Sequence, residues 1–162
     1  MTERIVNGDF ATGDFSGWNF SAAPDPDRWS ADVDGSGESA YGFVLMHIVD
    51  DVICLEQSID FSGVTAVVFN ARIYESRWSG TPPYGVFRVL VDDTVVLTID
   101  ADYYDWTAFA ADVSGFYGVH ALKFCLTNGY YGCGYDITDI SADAGPVTPV
   151  VDPLWSLQIG PL

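Results

Sequence analysis

Residues 4 to 18 read R-I-V-N-G-D-F-A-T-G-D-F-S-G-W. A short apolar run, Ile5-Val6, ends in Asn7-Gly8, a pair that favours positive φ and so a turn. Gly13-Asp14 and Ser16-Gly17 add further turns before Trp18 begins another apolar run. Turn chemistry this dense around very short strands is the pattern of an all-β sandwich.

Outward from that stretch, period-two alternation continues along the chain. It predicts strands over 3–7, 17–22, 28–33, 40–49, 52–60, 64–75, 85–92, 94–100, 106–113, 118–127 and 134–141. Asp92-Asp93-Thr94 reads as a tight hairpin between Val89-Leu90-Val91 and Val95-Val96-Leu97. Asn128-Gly129 marks another reversal. No segment has a helical period, and no repeat recurs at a solenoid or propeller spacing.

The 162 residues make one domain with a sizeable core. Hydrophobic residues are 49% of the chain, which opposes disorder despite a formal charge of −17. The charge comes from 19 Asp and 4 Glu against five Arg and one Lys. Such a surface repels nucleic-acid phosphates and anionic lipid alike. No apolar run reaches transmembrane length. Met1-Thr2-Glu3 leads straight into the first apolar run with no secretory signal, so the expectation is a removed signal or another exit route, such as a virus particle. Of three Cys, Cys125 and Cys133 flank the turn Thr127 to Gly132 and are placed to bridge adjacent strands. Cys54 reads as a small buried thiol. No C-x-x-C spacing supports zinc.

The opening N-G-D-F, its Gly turn and G-W resemble the start of the jelly-roll carbohydrate-binding modules of the family four, nine and twenty-two type. Further segments extend the resemblance in order. S-G-E-S-A-Y-G-F-V-L is similar to the family's "sGsyal" strand, V-I-C-L-E-Q-S-I-D to the strand after it, and Ala66 to Tyr74 to the next. D-W-T-A-F-A-A-D-V is similar to "tdWttft", which places Trp106 in the core. Y-D-I-T-D-I-S-A-D resembles the closing "yiDDvsl" strand, with Asp139 at the second Asp. The match spans roughly residues 4 to 143. It implies a two-sheet antiparallel jelly-roll β-sandwich over 1–143, with Trp18, Phe69, Phe87, Trp106 and Phe124 in one core. Residues 144–162 follow as a Pro-rich linker with a short terminal strand.

On the strand 64–75, Val67, Phe69, Ala71 and Ile73 share the core face. Ala66, Val68, Asn70, Arg72 and Tyr74 share the other. The next strand points Phe87, Val89 and Val91 inward and Arg88 outward. In modules of this type the sugar lies on the concave outer face of one sheet, with rings stacked on pyranose faces and Arg or Asn bonded to vicinal hydroxyls. The resemblance therefore implies a glycan site of Asn70, Arg72, Tyr74 and Arg88, rimmed by Arg77, Trp78 and Tyr84 of the loop 75–84. The bland alternatives are arginines ion-paired in an Asp-rich protein, ordinary aromatic packing, or a protein contact using the same chemistry.

The family's structural calcium implies a second site. It corresponds here to Asp9 in the Asn7–Ala11 turn, Asp34 in D-V-D-G-S-G-E, and Asp139. The family's Glu after N-G-x-F is Ala11, which removes one ligand, and the acidic loop lacks EF-hand spacing and length. His47 and His120 lie in strands without a nucleophile partner, and no nucleophile elbow is present. The expectation is therefore not an enzyme.

After the closing strand, A-G-P-V-T-P-V-V-D-P reads as an extended linker. L-W-S-L-Q-I-G-P-L then alternates Trp155, Leu157 and Ile159 against Ser156 and Gln158. Such a strand folds back on its own sandwich or adds to a neighbour's sheet edge. Two functions follow. The first is a non-catalytic glycan-binding module, extracellular, on a cell surface or on a virion. The second is a structural subunit of an extracellular or viral assembly (filament, surface layer or virion), self-assembling with copies of itself through its terminal strand. Neither engages nucleic acid or inserts in a membrane.

Overall fold

A computed structural model describes residues 4–21, 29–32, 39–44, 52–75, 86–99, 103–127 and 133–143. Ten strands lie in these segments: β1 (Asn19–Ser21), β2 (Trp29–Asp32), β3 (Ser39–Val44), β4 (Val52–Asp60), β5 (Ala66–Glu75), β6 (Val86–Val91), β7 (Thr94–Ile99), β8 (Tyr103–Asp112), β9 (Val119–Thr127) and β10 (Cys133–Asp143). They form two five-stranded sheets of order β1-β4-β9-β6-β7 and β2-β3-β10-β5-β8, antiparallel throughout. The all-β, two-sheet jelly-roll expectation holds. The terminal segment with Trp155, Leu157 and Ile159 lies outside the described residues.

The alternation read from sequence is the burial seen between the sheets. On β6, Phe87, Val89 and Val91 are buried, while Val86, Arg88 and Leu90 are half-buried. The core joins both sheets through aromatic edges. Phe124 meets Phe69 at 5.2 Å and Trp18 at 6.1 Å, and Phe87 meets Tyr135 at 4.8 Å. Tyr135 is wholly buried with its hydroxyl on the Phe124 carbonyl at 3.4 Å, and burial pushes its pKa well above the ordinary value.

Three expectations are corrected. Residues 3–7 do not form a strand where described. Asn7 and Phe10 have φ of 52° and 55°, which turns the chain away from extended geometry. The buried Gln57 side chain stands in for a ladder partner. Its Oε1 accepts from Val6 N at 2.8 Å, and its Nε2 donates to Val6 O and Gly17 O, each at 2.9 Å.

The disulfide joins Cys54 and Cys125, not Cys125 and Cys133. The two are directly opposite on β4 and β9, with Cα atoms 4.1 Å apart. Cys54 is therefore a bridged cystine and not a free thiol. Cys133 pairs in the other sheet, opposite Val44 and Glu75.

Trp106 is not in the core. It is 38% exposed. On β8 the inward phase belongs to Ala111 and Phe109, whose partners on β5 are Val67 and Phe69. Trp106, one residue before Thr107, takes the opposite phase and faces out.

Candidate functional site

Sheet pairing puts Arg72 of β5 directly opposite Asp136 of β10. Arg72 Nε and Nη2 both donate to Asp136 Oδ2, at 3.0 and 2.5 Å. The Asp136 side chain is 6% exposed and that of Arg72 is 37% exposed. The pair thus carries one guanidinium edge into solvent and one carboxylate under cover. On its other side, Arg72 Cζ lies 4.6 Å from the Trp106 ring centroid, within cation–π range. Buried carboxylate, guanidinium and indole run in sequence from the centre of the sheet to its β8 edge.

Asn70, two residues back on β5, shares this face. Its Nδ2 donates to Asp139 Oδ2 at 2.8 Å. Its partners across the ladders are Thr138 and Ala108. Asp139 is placed by a register shift after Thr138 and takes φ of 52°. Beside Trp106 the outward positions of β8 are the small Ala108 and Ala110, opposite Asn70 and Val68. The indole thus stands beside a floor of short side chains.

Of the residues expected to bind glycan, Asn70 and Arg72 come together here. Tyr74 occupies the same strand opposite Gly134, with its side chain outside the described residues. Arg77, Trp78 and Tyr84 also lie outside them. Arg88 is a correction: β6 belongs to the opposite sheet, where Arg88 pairs with Cys125 and Thr98. It cannot share a surface with Arg72, because the core separates them. Trp106 is the residue the sequence reading missed as a surface group. Its phase against Phe109 and Ala111 was the available signal.

Of the expected metal ligands, Asp34 lies outside the described residues. Asp9 Oδ1 accepts from Ala11 N at 3.2 Å, and Asp139 holds Asn70. The Asn7–Ala11 turn does adjoin Asp139, since Ile140 N donates to Gly8 O at 3.0 Å. A Cβ on Gly8 would sit 2.1 Å from Ile140 O, so only glycine permits that approach. Among the described residues no three or more His, Cys, Asp or Glu gather as a metal site.

No protein-family model matches the chain, and no curated protein matches it in sequence. Solved structures do match in shape. TmCBM61, solved with beta-1,4-galactotriose, has a TM-score of 0.62 at 17% identity, over 87% of this chain and 97% of that one. Caldicellulosiruptor saccharolyticus CBM27-1, solved with mannohexaose, has a TM-score of 0.63 at 16% identity, over 86% and 97%. The chain has the β-sandwich fold of carbohydrate-binding modules. That module fold also matches the K1 cleaved adhesin domain of Lys-gingipain from Porphyromonas gingivalis W83, with a TM-score of 0.61 at 11% identity, over 85% and 96%. Identities this low establish the fold alone, so function rests on the residues of the site.

Proposed function

We propose that the protein is a non-catalytic glycan-binding module whose site is the outer face of the β2-β3-β10-β5-β8 sheet, centred on Trp106, Arg72 and Asn70. One observation carries this reading: an indole 38% exposed on the sheet face, propped by a guanidinium 4.6 Å from its centroid, beside a floor of Ala108 and Ala110. Indole faces stack on the apolar faces of pyranose rings, and Asn and Arg donors suit sugar hydroxyls. Tyr74, with Trp78 and Tyr84 on the loop after β5, extends the proposed surface. Neighbours of the same fold solved with galactotriose and mannohexaose support the choice of ligand class. The Cys54–Cys125 disulfide supports an extracellular, cell-surface or virion setting, since such bonds persist in oxidising compartments. Structural calcium at Asp9, Asp34 and Asp139 is part of the proposal. It is supported by the contact between the Asn7–Ala11 turn and β10.

The test is binding to a glycan array, then calorimetry on hits with Trp106→Ala. Loss of stacking should weaken binding by about 1–2 kcal/mol, roughly tenfold or more, with an unchanged circular dichroism spectrum. No hit for the intact protein, or a Trp106→Ala affinity equal to wild type, would reject this site.

One observation favours the second reading, a structural subunit joined through its terminal strand. β7, T-V-V-L-T-I, ends its sheet among the described residues and has none of the charges, prolines or glycines that guard sheet edges. An assembled state that is lost on deleting residues 145–162 would support that reading over the first.

A further inference from the structure

Charge divides unequally between the two sheets. The strands of the β1-β4-β9-β6-β7 sheet carry Arg88 and Lys123 against Glu56 and Asp60, a balanced set. The strands of the β2-β3-β10-β5-β8 sheet carry six Asp and one Glu, against Arg72 as their only Arg or Lys. That one cation is already committed, since Nε and Nη2 both bond Asp136 Oδ2. Asp105, next to Trp106, is exposed, as is Asp112 in the outward phase of β8. An incoming carboxylate or sulfate therefore meets a negative field with no uncompensated positive partner among the described residues. A neutral pyranose meets Asn70, Arg72 and an indole. The carboxylates are no penalty for it, because an uncharged ring carries nothing for their field to repel.

Resting on the glycan-binding reading above, we infer that this face selects uncharged glycans and rejects those bearing uronate or sulfate. The Arg72–Asp136 pair sets that preference by presenting the guanidinium with its charge already balanced. A bare arginine on the same strand would instead recruit anionic sugars through paired donors.

The experiment uses the full chain and two ligands with one linkage, mannohexaose and β-1,4-linked hexamannuronate, which differ by a carboxylate for the hydroxymethyl group on each ring. Calorimetry is run at about 20 and 300 mM NaCl. Where mannohexaose binds, hexamannuronate should bind about tenfold or more weakly at low salt, and the gap should narrow at high salt as the field is screened. Asp105→Asn/Asp112→Asn removes two exposed carboxylates at isosteric cost. It should improve hexamannuronate affinity several-fold while leaving mannohexaose unchanged. Hexamannuronate binding equal to or tighter than mannohexaose at low salt would overturn the inference and leave the glycan-binding reading intact. So would a preference insensitive to both salt and the double substitution. If mannohexaose and a neutral glycan array both give no binding, the site reading fails and this inference fails with it.

Discussion

Trp106 and Phe124 are both large aromatics, but they answer to different physics. Phe124 is fully buried between the sheets, so Phe124→Ala should cost about 3–5 kcal/mol in urea unfolding. Trp106→Ala loses a half-exposed ring and one cation–π contact, and should cost only about 1 kcal/mol. Equal losses for the two would place Trp106 in the core after all. Arg72→Ala is a poorer probe of binding, since it strips the cation from a carboxylate 6% exposed and should cost about 1–3 kcal/mol of stability. The outward position of Trp106 was legible in D-W-T-A-F-A-A-D-V, because the alternation puts Phe109, Ala111 and Val113 on the other phase. The similarity to a family core tryptophan outweighed that signal. His120 offers a second test. Its Nδ1 meets Asp92 Oδ2 at 2.8 Å and its Nε2 meets the Tyr117 carbonyl at 3.0 Å, so both partners accept, which only the doubly protonated ring satisfies fully. The Asp92 bond first, then the Tyr117 carbonyl, raises the imidazole pKa above 6.5. That contribution is complete below pH 6.5 and lost as pH rises through the folded value. Asp92 is lowered below 3.8, first by Ala121 N and then by His120, so its contribution holds above 3.8 and is lost as pH falls through the folded value. The pair acts in full between about pH 4 and 6. His120→Gln should flatten the alkaline decline of the urea midpoint. It should leave most of the acid limb, which Asp14, Asp60 and Asp112 share through their own lowered values. An unchanged alkaline slope would assign that decline to another group.

Strand identity and facing were largely readable, because both are local: ten predicted strands overlap β1 to β10, and Val67, Phe69 and Ala71 are buried as the alternation requires. Which sheet each strand joins was not, because it is set by contacts far apart in sequence. Arg88 has the outward phase expected of it, but β6 pairs with β9 and β7, which removes it from the Arg72 face. The disulfide is non-local in the same sense. Cys54 and Cys125 are 71 residues apart and meet only because β4 and β9 align with that register. Closing so long a loop is worth up to about 4 kcal/mol through the unfolded chain. Cys54→Ala/Cys125→Ala should therefore lower stability by about 2–4 kcal/mol while the β-sheet spectrum persists. A double variant as stable as wild type under oxidising conditions would mean the bridge does not form in solution. The opening segment shows a third kind of hidden pairing. Val6 takes its hydrogen bonds from a side chain, Gln57, so no strand periodicity could display the contact. Gln57→Leu strands the Val6 and Gly17 groups and should cost about 2–3 kcal/mol, with faster amide exchange at Val6. Protection at Val6 equal to wild type would show that the segment is held by other contacts.

At the scale of the molecule, a formal charge of −17 on 162 residues sets a background against which every specific site must be measured. Like charges repel in the compact state, and added salt relieves this because the Debye length is about 10 Å at 0.1 M. Relief of about 1 kcal/mol would raise Tm by about 2–4 °C in a chain of this size. Sodium chloride alone should therefore stabilise the protein, and so should any divalent cation acting only as a screen. The proposed calcium site makes a different demand. The proposed site needs the Asn7–Ala11 turn held beside β10, which only the folded chain does, so bound calcium would raise Tm as its concentration exceeds its dissociation constant. Melting curves at matched ionic strength in sodium, magnesium and calcium chloride separate the two effects. A site predicts an excess for calcium that Asp139→Asn abolishes, while the sodium response persists. Ala11 supplies no carboxylate, so the excess should appear only at millimolar calcium. If the three salts give one curve against ionic strength, the acidic residues act only as a field and the proposed calcium site is rejected.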